Sequence, residues 1–341
     1  MKPKQIIYLL FVSFFILACK KEVAQLFEGF HKPSNFPEPV YKFENNEVTK
    51  AGFELGRKLF FDPTLSVDNT ISCGSCHIPT SAFTQHGHSV SHGINDLLGT
   101  RNSPPIMNLA WSNSFMWDGG IADLDLQPIA PITNHVEMGE SMANVLRKIK
   151  NNTAYGNLFK ASFGTDEISN IKVLKALSQF MVMCVSAESR YDSVMRNEKT
   201  FTTDERAGYV LFQNKCNSCH KEPLFTDNSF RNNGLQPSAL NDIGREMITL
   251  LQADKYKFKV PSLRNLQFTA PYMHDGRFLN LDAVLEHYNS QVQATDNLDP
   301  LLTNGNKLGI GLTTEEKSKL LTFLNTLSDR KFITNPLIAE Q

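Results

Sequence analysis

The chain has 341 residues, of which 41 % are hydrophobic and 20 % are charged, and its formal net charge is -1. This length allows two domains, and this composition excludes a largely disordered protein. A net charge so close to zero argues against a nucleic-acid-binding protein, which carries a basic surface. The six cysteines are an even number, so their spacing must show whether they form three disulfides.

The N-terminal segment predicts export. Two lysines precede the mostly apolar residues 6–18, a stretch shorter than the roughly 20 residues of a membrane-spanning helix, so residues 1–18 are typical of a signal peptide. Ile16-Leu17-Ala18-Cys19 has the pattern of a lipobox, which predicts a lipid on Cys19 and a lipoprotein of the periplasm or cell envelope, expected in the outer membrane. The alternative is a plain secretory signal. Residues 19–42 are rich in proline and predict a tether.

An internal repeat divides the rest of the chain. Cys73-Gly-Ser-Cys76-His77 is followed by Phe83-Thr84, and Cys216-Asn-Ser-Cys219-His220 is followed by Phe225-Thr226. Each copy follows one helical pattern and precedes another, and no run of alternating strands is evident. The sequence therefore predicts a mainly α-helical fold of two domains, joined near residues 196–202.

Four amphipathic patterns predict the helices of this repeat. They are residues 49–61, the stripe from Ile171 to Val185, the segment capped by Thr202 and Glu205, and the segment capped by Thr313 and Glu316. Cys184 falls on the second stripe and is expected to be a buried free thiol. Residues 86–127 are rich in Gly, Pro, Asn and Ser, which predicts ordered loops around a site.

The two Cys-x-x-Cys-His motifs predict covalent haem attachment. Two cysteines at this spacing on a helical turn can both reach the vinyl groups of one haem, and the next histidine can bind its iron. His77 and His220 are thus the predicted proximal ligands, and Cys73, Cys76, Cys216 and Cys219 the predicted attachment points. The alternatives are a four-cysteine zinc site and disulfides within each motif.

From residue 55 to the last helix, the chain resembles the bacterial dihaem cytochrome c peroxidases and their relatives. The motifs that carry this resemblance are Leu55-Gly-Arg-Lys-Leu-Phe60, Arg101-Asn-Ser-Pro104, Trp117-Asp-Gly119, Gln127 with Glu137-Met-Gly139, Phe258-Lys-Val-Pro-Ser-Leu-Arg-Asn265 and Pro271-Tyr-Met-His-Asp-Gly276. The resemblance implies two cytochrome c-like domains in tandem. Residues 43–199 would hold the haem that handles peroxide, and residues 200–335 the haem that relays electrons.

The resemblance also implies catalytic roles. Glu137 matches the acid–base glutamate, Gln127 a distal-pocket amide that hydrogen-bonds peroxide, and Trp117 an aromatic relay between the haems. The alternatives are a carboxylate at a helix N-terminus, a loop contact and a core tryptophan, respectively. His135 stands where the family usually has proline, just before the glutamate motif.

Further ligands follow from the same resemblance. His92 matches a loop histidine that caps the first iron in the resting enzyme of many members, and its alternative is a surface histidine. Asn102, Thr269 and Pro271 match the residues that hold Ca²⁺ between the domains, and their alternative is a set of turn residues.

The sixth ligand of the second haem departs from the peroxidase pattern. Tyr288 stands fourteen residues after His274, where the peroxidases usually place methionine. Tyrosine occurs there in the relative that matures tryptophan tryptophylquinone, and a phenolate lowers the haem potential whereas methionine raises it. The alternatives are an apolar helix stripe that includes Tyr288, and ligation by Met273.

Three functions are considered. The first is reduction of hydrogen peroxide to water with electrons from a small c-type cytochrome or cupredoxin. The second is oxidation of a protein aromatic residue or other substrate with peroxide-derived oxidising equivalents, and the third is electron carriage without chemistry. No nucleic acid is expected, and a homodimer would be in keeping with the family.

Overall fold

The computed structural model describes residues 27–341. The predicted signal peptide and the predicted lipid on Cys19 lie outside the described residues. None of the helices in the described part is long and apolar enough to cross a bilayer.

The fold is mainly α-helical, as predicted, with long ordered loops between the helices. Its helices are α1 (Lys50–Phe61), α2 (Cys73–Cys76), α3 (Ile129–Thr133), α4 (Met142–Asn151), α5 (Thr153–Phe163), α6 (Asn170–Val182), α7 (Arg190–Met195), α8 (Thr203–Lys215), α9 (Glu246–Thr249), α10 (Leu281–Glu286), α11 (Thr314–Asn325) and α12 (Arg330–Ile333). Two short antiparallel pairs join β1 (Phe230–Arg231) to β2 (Phe258–Lys259) and β3 (Thr303–Asn304) to β4 (Lys307–Leu308).

The two halves repeat one helix-packing arrangement. Helix α1 packs against α6, and α8 packs against α11. The predicted capping boxes are present, because the side chains of Thr202 and Thr313 accept hydrogen bonds from the backbone N–H of Glu205 and Glu316. A capped helix end with an apolar face behind it is a local property, so these helices could be located from the sequence.

A glycine allows each helix pair to approach closely. A β-carbon at Gly56 would lie 1.9 Å from the carbonyl oxygen of Ala176, and one at Gly208 would lie 2.0 Å from that of Lys319. Such distances are far inside van der Waals contact, so a side chain at either position would force the helices apart.

We expect Gly208→Ala to lower the free energy of unfolding by about 1–3 kcal/mol, because the added methyl group collides with the backbone of α11. Denaturant unfolding of the purified protein measures this change. The matched control is Gly156→Ala in α5, where nothing lies within 4 Å of the added β-carbon. The control is expected to stabilise the protein by about 0.5–1 kcal/mol, since alanine favours the helix. Equal effects of the two substitutions would contradict the close-approach explanation.

Two buried apolar clusters accompany the two helix pairs. The first includes Leu59 and Phe180, and the second includes Phe212 and Phe323. Phe332, in α12, belongs to the first cluster although it lies near the C-terminus. The end of the chain therefore packs on the N-terminal half. The domain ranges 43–199 and 200–335 stay a prediction.

The predicted tether is wrong for residues 27–42. Phe36 is buried, and its ring lies 5.0 Å from that of Trp111. The indole N–H of Trp111 donates to the carbonyl oxygen of Pro37 at 2.8 Å, and Phe27 packs against Phe53. Prolines spaced along an irregular segment suggested a linker, but Phe27, Phe36 and Phe30, whose ring lies 5.7 Å from that of Trp111, hold this segment on the globule. Packing these rings removes apolar surface from water.

The α6 stripe differs from the prediction at both ends. Ile171, in the first turn of the helix, is 66 % exposed. The helix ends at Val182, so Cys184 follows it rather than lying within it. Cys184 is nevertheless fully buried and free of disulfides, as expected, and its thiol lies 3.6 Å from the Phe180 carbonyl oxygen.

Candidate functional site

A cavity of about 760 Å³ lies next to the first Cys-x-x-Cys-His motif. Cys73, Cys76 and His77 line it, and so do Gln127 and Glu137. Much of its wall comes from the loops between residues 99 and 118, which confirms the predicted ordered loops around a site. Residues 259–262 of the C-terminal half also line it.

The first motif is arranged as haem attachment requires. Both thiols lie on the single turn of α2, which Ser72 and Ser75 close with a reciprocal capping box. The Nδ1–H of His77 donates to the carbonyl oxygen of Phe83 at 2.8 Å, which leaves Nε2 of the neutral ring unprotonated and able to bind a metal. Burial lowers the pKa of His77, so the ring is neutral and able to bind a metal.

The second motif repeats this geometry. The Nδ1 of His220 lies 3.3 Å from the carbonyl oxygen of Phe225 and 3.1 Å from that of Pro261. Burial lowers its pKa as well. The residues of both motifs therefore fit a covalently bound haem with a proximal histidine held in one tautomer.

The two alternatives for the motifs find no support. The five cysteines of the described part are all free of disulfides. Within residues 27–341, no group of three or more His, Cys, Asp or Glu side chains is arranged to hold a metal ion. A four-cysteine zinc site would need all four motif thiols at one point, whereas Cys73 and Cys216 pack against different apolar clusters.

The Glu137 carboxyl is half-buried at the cavity wall. Burial raises its pKa, and the amide of Asn134, which donates to Oε1 at 3.1 Å, partly offsets that rise. Burial and then the charge of Glu137 raise the pKa of the Cys76 thiol to about 11, so the carboxyl is close enough to the first motif to act on it electrostatically. A carboxyl with a raised pKa holds a proton more readily than an ordinary glutamate, which suits a group that takes up a proton and passes it on.

Glu137 does not cap helix α4. The side chain of Ser141 accepts from the backbone N–H of Asn144 at the helix N-terminus, and Glu140 accepts from the backbone N–H of Ser141. Lys148 holds this loop in place by binding Glu140 and the carbonyl oxygen of Ser66. The alternative of a helix-capping role for Glu137 is therefore not the observed arrangement.

Gln127 lies on the cavity with its amide close to a thioether. Its Nε2 is 3.8 Å from the Sδ of Met116, a contact that the sequence did not suggest. Met116 has a left-handed backbone conformation with φ 68°, and it directly precedes Trp117. The amide is thus oriented by the same loop that carries the predicted relay residue.

Trp117 connects the two halves of the chain. Its indole N–H donates to the carbonyl oxygen of Asn102 at 2.8 Å, and its own carbonyl oxygen accepts from the backbone N–H of Lys259 at 2.7 Å. Lys259 is two residues before Pro261, whose carbonyl meets His220. Trp117 therefore lies in a wall that reaches from the cavity of the first motif to the proximal side of the second.

An ion-pair network that the sequence reasoning missed lies beside this tryptophan. Arg101 donates to both oxygens of Asp242, at 2.6 and 2.8 Å, and also to Asp118. Arg245 donates to the carbonyl oxygen of Asp118 at 2.9 Å. Arg101 and Asp118 fall within quoted motifs, but their partners on the other half follow no local pattern.

His92 lies near the first motif through its backbone rather than its ring. Its carbonyl oxygen is 3.4 Å from the Sγ of Cys76, and its backbone N–H donates to Gln85. The imidazole packs edge-on against that of His88, with the ring centroids 4.2 Å apart. Its side chain is not among those that line the cavity within the described residues, so its role as an iron ligand stays a prediction.

Asn102 meets the loop that carries Thr269 and Pro271. Its backbone N–H donates to the carbonyl oxygen of His274 at 2.7 Å, and its side-chain amide donates to the carbonyls of residues 88 and 89. Both Asn102 and Thr269 are buried. These oxygen-bearing groups suit a hard cation, and calcium here stays a prediction.

Tyr288 lies in a π-helical turn, His287–Gln291, that directly follows α10. Such turns are frequent at functional sites. Its hydroxyl is 3.4 Å from the Nδ2 of Asn233, and the same amide is 3.8 Å from the Sδ of Met273. Both predicted candidates for the sixth ligand therefore meet at Asn233, a residue that no sequence pattern pointed to.

The surroundings of Tyr288 place it near the second motif. Burial raises the pKa of its hydroxyl, Asn233 partly offsets the rise, and the thiols of Cys219 and Cys216 add to it. The hydroxyl thus lies near the thiols that would hold the second haem. Ligation by Tyr288 stays a prediction.

Comparison with known proteins supports one assignment. A family model described as di-haem cytochrome c peroxidase matches residues 50–200. The chain is 38 % identical over 277 residues to methylamine utilization protein MauG of Methylorubrum extorquens, covering 80 % of this chain and 76 % of that protein. It is 32 % identical over 284 residues to the cytochrome c551 peroxidase of Nitrosomonas europaea, covering 81 % and 79 %.

Comparison with solved structures supports the same family. The solved structure of a MauG-like protein associated with microbial copper homeostasis matches with a TM-score of 0.82 and 30 % identity, covering 92 % of this chain and 99 % of that one. The family implies two haem c groups, for which both motifs have the required geometry. The chain therefore belongs to the di-haem cytochrome c peroxidase family of oxidoreductases.

Proposed function

We propose that this protein is a cytochrome c peroxidase, which reduces hydrogen peroxide to water with electrons from a small c-type cytochrome or cupredoxin. The observation that supports this most directly is the half-buried Glu137 carboxyl, which lines the same cavity as the histidine that would bind iron. An electron carrier needs no proton-transferring group at an internal cavity. The haem, when bound there, supplies an iron that binds peroxide and exchanges electrons.

The residues around the cavity supply the rest of the chemistry. Gln127 offers an amide N–H to a peroxide oxygen and so orients it. Glu137 takes a proton from one oxygen and returns it to the other, which makes the departing oxygen a better leaving group. Asn134 keeps the carboxyl at the cavity wall through its 3.1 Å hydrogen bond. The apolar side chains of Phe115, Met138 and Leu177 limit the access of water.

Electrons would enter through the second haem. Trp117 is the relay proposed between the two sites, since its loop is bonded to both halves of the chain. We include in the proposal a Ca²⁺ ion at Asn102, Thr269 and Pro271, a lipid on Cys19 and a place in the periplasm or cell envelope. A homodimer is the assembly proposed by analogy with the family.

A second candidate is oxidation of a protein aromatic residue or another substrate with the oxidising equivalents of peroxide. Tyr288 at the second site favours it, together with the 38 % identity to a protein named for methylamine utilization. The two candidates differ in the midpoint potential expected of the second haem, which ligation by methionine would raise and ligation by tyrosine would lower.

Steady-state peroxide consumption by the purified dihaem protein, with a reduced small cytochrome as donor, tests the first candidate. Two permanently six-coordinate irons that do not react with peroxide would contradict both.

We expect Tyr288→Met to raise the midpoint potential of the second haem, by a sizeable part of the roughly 0.8 V that axial ligands span, because thioether sulfur favours ferrous iron. Spectroelectrochemical titration of the purified protein measures this shift. The control is Tyr256→Phe, because the hydroxyl of Tyr256 donates to the side-chain oxygen of Asn241 on the surface. An unchanged potential in Tyr288→Met would show that another residue, such as Met273, is the ligand.

A further inference from the structure

Lys259 places an ammonium group in the wall of the cavity. It is the second residue of strand β2, and its side chain lines the cavity together with the first motif. Its Nζ donates to the carbonyl oxygen of Ser114 at 2.7 Å and lies 5.9 Å from the centroid of the Phe115 ring. Its backbone N–H donates to the carbonyl oxygen of Trp117. The side chain and the backbone therefore both bind the loop that carries Trp117.

This ammonium has no carboxylate partner in the described part of the chain. No Asp or Glu oxygen of residues 27–341 lies within 4.0 Å of it. The other cation of the cavity wall, Arg101, is already bound by two carboxylates, Asp118 and Asp242. The Glu137 carboxyl bonds Asn134 instead of a cation. Burial lowers the pKa of Lys259 to about 8.

A buried cation without a counter-charge is costly, and proteins rarely retain one unless a ligand neutralises it. One carbonyl oxygen satisfies one of three N–H groups and none of the positive charge. The cavity occupant that the family implies is anionic at one edge, because a haem c group keeps its two propionate carboxylates after the vinyl groups have bonded to cysteine. The charge that Lys259 lacks is the charge that this occupant carries.

We propose that Lys259 is a positioning residue that pairs with a propionate of the haem attached at Cys73 and Cys76. The inference rests on the first haem site and not on peroxide turnover. Since the Lys259 backbone also holds Trp117, one residue ties the edge of the cofactor to the loop of the proposed relay. The ion pair would offset the propionate charge beside the haem and so favour ferrous iron in a cavity where charges interact strongly.

The test compares Lys259→Met, which removes the charge, with Lys259→Arg, which keeps it. Spectroelectrochemical titration of each purified dihaem protein at several pH values gives the midpoint potential of each haem. Lys259→Met is expected to lower the potential of the first haem. It is also expected to move the pH-dependent part of that potential to higher pH, because a propionate without its cation binds a proton more readily. Lys259→Arg is expected to keep both properties near those of the wild type.

The matched control is Lys257→Met, on the same segment, whose ammonium is paired with Asp254 at 3.1 Å. An unchanged first-haem potential in Lys259→Met would overturn the proposal, as would equal shifts in the Met and Arg variants, which would indicate packing alone. A shift confined to the second haem would overturn the assignment to Cys73 and Cys76. If Lys259→Met does not fold, Lys259→Gln replaces it, and propionate bands in its resonance Raman spectrum identical to those of the wild type would also overturn the proposal.

Discussion

Replacing Glu137 with Gln is expected to lower kcat/KM for peroxide by about 10²–10⁴-fold, the usual contribution of a positioned acid–base group. The carboxamide keeps the shape of the side chain and its contact with Asn134 but cannot take up a proton from peroxide. The measurement is stopped-flow or steady-state peroxide reduction by the purified dihaem protein with a reduced cytochrome donor. The optical spectrum of the haems is expected to stay unchanged, since the substitution does not touch either proximal histidine.

The pH dependence provides a second test of the same role. Burial raises the pKa of Glu137, so the ionised form that accepts the proton is lost at a higher pH than for an ordinary glutamate. Activity is therefore expected to fall as the pH drops through this raised pKa, and Glu137→Gln should lack that limb of the profile. The control is Glu167→Gln, an exposed carboxyl paired with Lys172. Full activity in Glu137→Gln would contradict the acid–base assignment.

Breaking the ion pair between Arg264 and Asp192 is expected to cause the largest loss of stability. Both side chains are fully buried, and the guanidinium binds both carboxylate oxygens at 2.8 Å. Arg264→Met would leave the carboxylate of Asp192 buried without its counter-charge, which costs about 3–5 kcal/mol of unfolding free energy. Denaturant unfolding followed by far-UV circular dichroism measures the change.

The pH dependence of this loss has a definite sign. Burial raises the pKa of Asp192, whereas the hydrogen bond and the charge of Arg264 lower it. The lowering outweighs the rise, so the pKa lies below the ordinary value. A carboxyl with a lowered pKa stabilises the fold above its unfolded pKa, and this stabilisation is lost as the pH falls through the folded pKa. The difference between the wild type and Arg264→Met is thus expected to be largest near neutral pH and to shrink toward acid.

A surface pair serves as the control for this prediction. Arg190 binds Glu205 with two hydrogen bonds, at 2.6 and 2.8 Å, in the same bidentate manner. Its side chain is 35 % exposed, so solvent already screens the interaction. Arg190→Met is expected to cost less than about 1 kcal/mol. Similar losses in the two variants would show that burial does not govern the strength of these pairs.

Local patterns in the sequence were sufficient to predict the helices and the haem-attachment motifs. A capping box or a Cys-x-x-Cys-His run is complete within a few residues, so its meaning does not depend on what packs against it. The close approach of α8 to α11 at Gly208 is different, because the carbonyl that excludes a side chain there belongs to Lys319, far along the chain. The same limitation explains the error over residues 27–42, whose phenylalanines find their partners only in the folded protein.

The sequence by itself determined that this is a mainly helical protein with two haem-attachment motifs, because covalent spacing and helical periodicity are properties of neighbouring residues. Only the tertiary structure decided which side chains face the cavity between the two halves. It placed the Glu137 carboxyl in the same cavity as the first motif, brought Tyr288 and Met273 to one Asn233 amide, and left Lys259 without a carboxylate among the described residues. Burial and charge pairing depend on groups that are distant in sequence, so no local pattern could have shown them.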